Sequence, residues 1–224
     1  MGSNINDLET SRVRFAQLKI YLIADLMRYA GRANPYLFLR HFLFTPGYNY
    51  TVWMRATNWA AHHRLARYTL YPFLKWRLLH SRYKYGIAIP ETAKVGPGLF
   101  INRFGGIYVH HDVVIGCNVN ITHGTVLGFM NRGKRMGAPH IGNRVFFGSG
   151  AKVLGAIRVG DEAAIGVNAV VTKDVPCRGV AVGLPAAIIG FDGSDGYINR
   201  MASDELIVRS GWTSEVSGII PSIE

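Results

Sequence analysis

The chain is short of cysteine, of acidic residues in its first third, and of long apolar runs. Each shortage removes a class of protein. Its two cysteines, Cys117 and Cys177, make neither a disulfide framework nor a metal-ligand spacing, so a reducing cytoplasm is the expected compartment and no metal site is expected. No stretch reaches the roughly 18 apolar residues that a transmembrane helix needs. The first residues, MGSNINDLET, are polar and slightly acidic and do not read as a cleavable leader. From Arg12 to Lys84 the only acid is Asp25, among thirteen lysines and arginines, so the formal charge of +11 sits almost wholly before residue 85.

What the chain has is a period of six. Ile89, Val95 and Ile101 start it, and after a two-residue slip come Val109, Ile115, Ile121 and Leu127. After a longer interruption follow Ile141, Phe147, Val153, Val159, Ile165 and Val171. The next residue is often glycine, as at Gly96, Gly116, Gly142 and Gly160, and a small residue often stands two before, as at Ala93, Ala151 and Ala163. A six-residue period fits neither a helix nor plain strand alternation. It predicts short strands joined by tight turns, one inward aliphatic per strand, three strands per triangular coil, each coil buried only against its neighbours.

These runs carry a resemblance. GPGLFINRFGGIYV, VVIGCNVNITHGTVLG, PHIGNRVFFGSGAKVLGAIRVGDEAAIGVNAVVTKDVP and VAVGLPAAIIG together resemble the hexapeptide-repeat acyltransferases, in particular their serine O-acetyltransferase branch. The resemblance implies a left-handed parallel β-helix and an acetyl-CoA-dependent acetyltransferase working as a homotrimer. Three stretches follow: residues 1–84, basic, aromatic-rich and helical; 85–190, the β-helix; and 191–224, a tail without clear periodicity.

Before the repeat, apolar spacing predicts helices over about 12–30 (closed by Gly31), 35–43, a third running to about 64, and 66–80. Arginines beside tryptophan and tyrosine suit an anionic membrane surface; a plain cap on the solenoid, its arginines solvated, is the alternative. Nucleic acid is not expected, because no recognised motif accompanies the charge. A short helix is expected near 203–209.

Acetyl transfer to a hydroxyl needs a base, most often histidine, and a donor for the oxyanion. In the serine acetyltransferase pattern the base follows an acid in a run that here reads Asn102-Arg103, before Phe104-Gly105-Gly106-Ile107; both family residues are missing, and arginine is no base at ordinary pH. A further histidine of that family falls at Ala138. Asn102 and Arg103 are therefore assigned to substrate. His123 stands two after Ile121 as Arg103 stands two after Ile101, so the two should stack in successive coils, and His123 is the first candidate base. His111, with Asp112 holding its imidazole and His110 beside it, is the rival.

The interruption at 129–139, FMNRGKRMGAP, must project, and Arg132, Lys134 and Arg135 are candidates for an anionic substrate. In the family this loop reaches over a site between neighbouring subunits. Coenzyme A is expected against Gly148, Ser149, Gly150, Ala164 and Gly166, with Lys173 for a phosphate. The missing family residues favour a sugar hydroxyl of a bacterial surface polysaccharide or its precursor as acceptor. The alternatives are a serine O-acetyltransferase or a catalytically silent trimeric scaffold. The enzyme would work in the cytoplasm, held peripherally at the inner membrane face.

Overall fold

The computed structural model describes residues 15–213. Five helices come first: α1 Phe15–Ala30, α2 Pro35–Phe44, α3 Pro46–His62, α4 Arg64–Thr69 and α5 Tyr71–Tyr85. The expected start of the first helix near residue 12 lies outside the described residues. Gly31 ends α1 at φ +73°, a conformation that favours glycine. Asn34 caps α2 by accepting from the Leu37 N–H, with Pro35 at the first helical position. The expected fourth helix is two: α4 ends before Leu70, and Pro72, lacking an N–H, is tolerated only in the first turn of α5.

The strands that follow are β1 Ile87–Ala88, β2 Lys94–Val95, β3 Phe100–Ile101, β4 Ile107–Val109, β5 Val114–Ile115, β6 Asn120–Ile121, β7 Val126–Gly128, β8 His140–Ile141, β9 Phe146–Phe147, β10 Lys152–Leu154, β11 Arg158–Val159, β12 Ala164–Ile165, β13 Val170–Val171, β14 Val180–Gly183 and β15 Ala186–Gly190. They form three parallel sheets, the faces of a prism: face A is β1-β4-β7-β10-β13, face B is β2-β5-β8-β11, and face C is β3-β6-β9-β12-β14. Only β15 runs antiparallel, folding back on β14 to close the last coil. This is a left-handed parallel β-helix of about five turns. All thirteen inward positions of the six-residue series are at most 4% exposed. Ile101 pairs with Ile121, twenty residues on, where the slip falls, and Val153 with Val171, eighteen on.

The first coil would leave a raw edge of backbone N–H and C=O groups, which are costly to bury unpaired. The helices close it with side chains. On face A, the Tyr50 hydroxyl donates to the Ile89 carbonyl (2.8 Å) and accepts from its N–H (3.0 Å). On face C, Tyr29 does the same for Ile101, at 3.3 and 3.0 Å. On face B, Arg55 donates to the carbonyls of Val95 (2.5 Å) and Gly96 (2.7 Å). Arg55 is held by Asp25 at 3.0 Å, and the same carboxylate accepts from the N–H groups of Gly98 and Leu99 at 2.9 Å. Asp25, Arg55 and Arg28 are buried, which corrects the expectation that the cap's arginines are simply solvated.

The tail is described as far as residue 213. It runs along the outside of face C: Tyr197 stacks on Phe146 at 4.5 Å, and the Asn118 side chain bonds both the N–H and the carbonyl of Ala202. Arg28 donates to Asn120 and to the Asn199 carbonyl, joining cap, solenoid and tail. A short helix, α6 Asp204–Arg209, appears where one was expected, capped by Ser203.

Candidate active site

The prism has three corners per coil, and the candidate residues fall on two of them. The corner leading from face C to face A carries Asn102 and Arg103 in one coil, His123 in the next, Ser149 in the third and Val167 in the fourth. The pairing Ile101↔Ile121 resumes only at Gly106 beside Gly124, and the Gly124 N–H donates to the Gly105 carbonyl, so the two-residue slip falls inside this corner. Gly105 lies beside His123 and Arg103 sits in the longer turn of the preceding coil, which corrects the expected stacking of Arg103 on His123. The register Asn120↔Phe146 places Ser149 on the other side of His123. Asn102, Arg103 and His123 are exposed. The Ser149 hydroxyl lies 3.4 Å from His123 Nδ1, which leaves Nε2 as the ring nitrogen turned to incoming groups.

Local chemistry fixes the His123 turn. The Thr122 hydroxyl donates to the Phe147 carbonyl at 2.9 Å, and the Thr125 hydroxyl donates back across the turn to the Thr122 carbonyl at 2.7 Å. Gly124 follows at φ +72°, stacked on Gly150, whose Cα would lie 3.1 Å from a Cβ placed at residue 124. The run Thr-His-Gly-Thr is thus a tight corner built to present one imidazole. The Ser149 contact and the two threonine hydroxyls were not anticipated. Their only signal in the sequence is the pair of threonines flanking the histidine.

The second corner, from face A to face B, carries His110, His111 and Asp112, the 129–139 loop in the next coil, and Lys173 further along. The rings of His110 and His111 are 4.0 Å apart, and Phe129 lies 4.9 Å from His110. Asp112 stands 3.5 Å from His111 Nε2 and 3.7 Å from His110 Nδ1, too far for the hydrogen bond that would lock one tautomer. It shares itself between both rings instead of orienting His111 alone. One donor atom from each of His110, His111 and Asp112 lies within 4.8 Å of the others, so this is where the described residues offer a divalent cation three ligands.

The interrupting loop does project, as a small antiparallel hairpin pinned by reciprocal bonds between Met130 and Gly137. Arg132 and Lys134 are exposed at its tip. Arg135 is not free for a substrate: it pairs with Asp174 at 3.1 Å, and its carbonyl accepts from Ala156.

Within one chain the structure does not bring the coenzyme A candidates together. Lys173 is exposed on the second corner, whereas Gly148, Ser149, Gly150 and Gly166 line the first. Ala164 points outward from face C and is 4% exposed, covered within the chain and closed to any ligand. The glycines have a reason of their own. A Cβ at Gly148 would meet Val167 N at 2.7 Å, and one at Gly166 would meet Val182 Cγ1 at 2.7 Å. Coil stacking alone requires them, and a thin corner is the by-product.

The remaining thiol chemistry is poor. Burial pushes the Cys117 thiol up to about 12, so it is no nucleophile at neutral pH. The cleft it lines with Asn143, Arg144, Asp204 and Trp212 lies at the third corner, under α6.

No family model matches the chain. A curated serine acetyltransferase of Helicobacter pylori is 46% identical over 112 residues, which is 50% of this chain and 66% of that protein. The chain spans between 46% and 66% of the length of the curated relatives it matches. The solved soybean serine acetyltransferase complexed with serine is 30% identical, with a TM-score of 0.64 over 77% of this chain and 70% of that one. The Brucella abortus serine acetyltransferase in complex with coenzyme A is 29% identical, with a TM-score of 0.63 over 84% and 70%.

Proposed function

Because the chain belongs to the hexapeptide-repeat acyltransferase family, alongside the serine acetyltransferases, we propose that it is an acetyl-CoA-dependent O-acetyltransferase with His123 as general base. Acetyl-CoA, as substrate, supplies the acetyl group on a thioester. His123 Nε2 takes the proton of the acceptor hydroxyl as its oxygen attacks the thioester carbonyl. Arg103, in the turn of the preceding coil at the same corner, is assigned to the charge that develops on the carbonyl oxygen. When the carbon–sulfur bond breaks, the imidazolium returns its proton to the departing thiolate, so protons balance over the cycle. Ser149 steadies the ring through Nδ1. The observation that carries this reading is the His123–Ser149 pair, in the corner whose preceding turn holds Asn102 and Arg103, which puts an imidazole one coil from where the family pattern has its base.

A homotrimer is part of the same proposal. Face C is covered by α1 and the tail, and face B presents Lys94, Val114, His140 and Arg158 outward. Of the two faces not covered within the chain, face A is the more apolar, presenting Ala88, Tyr108, Val126, Lys152 and Val170. A threefold contact through face A would set the His123 corner of one chain against the hairpin corner of the next, with Arg132, Lys134 and Lys173 over the coenzyme A phosphates.

Serine is the acceptor that the names of the relatives favour, and none of them supports a polysaccharide. A sugar hydroxyl stays as a second reading on one observation: Asn102, Arg103 and Ala138 replace the family residues, so this pocket differs where the acceptor would sit. The enzyme would act in the cytoplasm, where acetyl-CoA is made.

The test is thiol release from acetyl-CoA with serine, and separately with a panel of sugars. Turnover with either acceptor that His123→Ala lowers about 100- to 10,000-fold, with melting unchanged, is expected. Turnover that survives His123→Ala and falls with His111→Ala would move the base to the second corner. No turnover with any acceptor would leave a silent scaffold.

A further inference from the structure

Helix α5 is apolar on two opposite sides, and the molecule uses only one. Leu78 and Ser81 face inward, Leu78 joining the core under the first coil. Phe73, Trp76, His80 and Tyr83 recur at i, i+3, i+7 and i+10, which sets them in one stripe along the far side. Phe73, Trp76 and Tyr83 are 54%, 59% and 83% exposed. Ring centroids follow one another at 6.1 Å from Phe73 to Trp76 and 6.3 Å from Trp76 to His80. Just before them, α4 leaves Leu65 and Tyr68 bare.

Helix α2 has the same habit, exposing Tyr36, Leu39 and Leu43 at i, i+3 and i+7. Phe42 of α2 and Arg77 of α5 both lie against Trp53 of α3, at 5.6 and 4.9 Å, so the two bare faces border one part of the cap. An apolar surface of this extent on a soluble domain marks a contact site.

Charge selects the occupant. Between residues 15 and 85 there are eleven lysines and arginines and one acid, Asp25, which is buried against Arg55. Lys84 follows the aromatic stripe on the same side of α5, and Arg67 of α4 and Arg82 of α5 are exposed as well. A protein partner would be expected to face charges of both signs, and nucleic acid has no use for Leu39, Leu43 or Leu65. Tryptophan and tyrosine rings rimmed by lysine and arginine, with no acid on the surface, fit the headgroup layer of an anionic bilayer.

We propose that this face of the cap docks on an anionic lipid surface, with Phe73, Trp76 and Tyr83 entering the headgroup layer and Arg82 and Lys84 meeting the phosphates. Among the described residues no helix is long and apolar enough to cross a membrane, and the proposed contact is a peripheral one. The cap closes one end of the prism. In the trimer proposed above, three such faces point the same way and bind with shared effective concentration. That multiplication rests on the trimer; the contact of a single chain does not.

The experiment is sedimentation of the full chain with vesicles of phosphatidylglycerol and phosphatidylcholine, against phosphatidylcholine alone. Binding to the anionic vesicles is expected, weakened roughly tenfold or more by Phe73→Ser/Trp76→Ser and by Arg82→Gln/Lys84→Gln. It should also weaken in about 0.5 M salt, where screening is short-ranged. Acetyl transfer in solution should be unchanged in both variants, which separates this outcome from failure of the active-site reading. Absence of binding to anionic vesicles, or binding that survives both variants, overturns the proposal. So does a free six-chain particle that Phe73→Ser/Trp76→Ser splits in two, because the face would then belong to a second copy.

Discussion

In the solenoid, thirteen inward positions are aliphatic or aromatic and all are buried, and the coils recognise one another by shape and backbone ladders. In the cap, the groups that fix its place are Asp25, Arg28, Arg55, Tyr29 and Tyr50, which supply one by one the hydrogen bonds that a missing coil would have made. The first region spreads its stability over many equivalent contacts. The second concentrates it in a few polar ones. A repeat needs no special residue at any one rung, but its open end cannot be closed by more of the same.

That contrast can be broken by mutation. Asp25→Ala leaves the Arg55 guanidinium buried without its carboxylate and should cost about 3–5 kcal/mol. Urea unfolding reads it, and Asp25→Ala/Arg55→Leu should recover part of the loss. A neutral Asp25→Ala would show that the cap is held by packing after all. Phe147→Ala, at 0% exposure the largest inward side chain of the series, should cost about 3–5 kcal/mol, with no second-site rescue of the Arg55 kind.

A smaller effect lies at Glu91, on the first coil, which accepts from Lys75 at 2.5 Å and Tyr71 at 3.1 Å of α5. Burial pushes its carboxyl up, but these donors outweigh burial and hold it below the usual range. A carboxyl lower in the folded chain than in the unfolded one stabilises above the unfolded value of about 4.3 and loses that contribution as pH falls through the folded one. With Lys75 37% exposed, the expected share is about 0.5 kcal/mol, and Glu91→Gln should flatten the acid side of the melting profile.

The same contrast explains what could be read beforehand. The solenoid was legible because its period repeats a single physical demand. The stacking of Arg103 on His123, expected from counting two residues past Ile101 and Ile121, fails because the two-residue slip falls inside that corner and brings Gly105 beside His123. The cap's fastening was not legible, because a charge in a sequence looks the same whether solvated or buried, and Arg28 and Arg55 read like their exposed neighbours. The tail was opaque for a related reason: its contacts are backbone groups meeting Asn118, Asn120 and Arg28, with no hydrophobic period. Ala164 was misplaced because its small size suggested an open groove, while residue order alone could not show that face C is covered. The break at Leu70 was missed because apolar spacing continues across it.

The account turns on which imidazole meets the thioester, and a crystal structure of the full chain with coenzyme A measures that directly. The sulfur is expected beside His123 Nε2, between Arg103 of the same corner and the hairpin of a neighbouring chain. A sulfur lying instead against His110–Asp112, or a chain that binds coenzyme A as a monomer away from both corners, would contradict it.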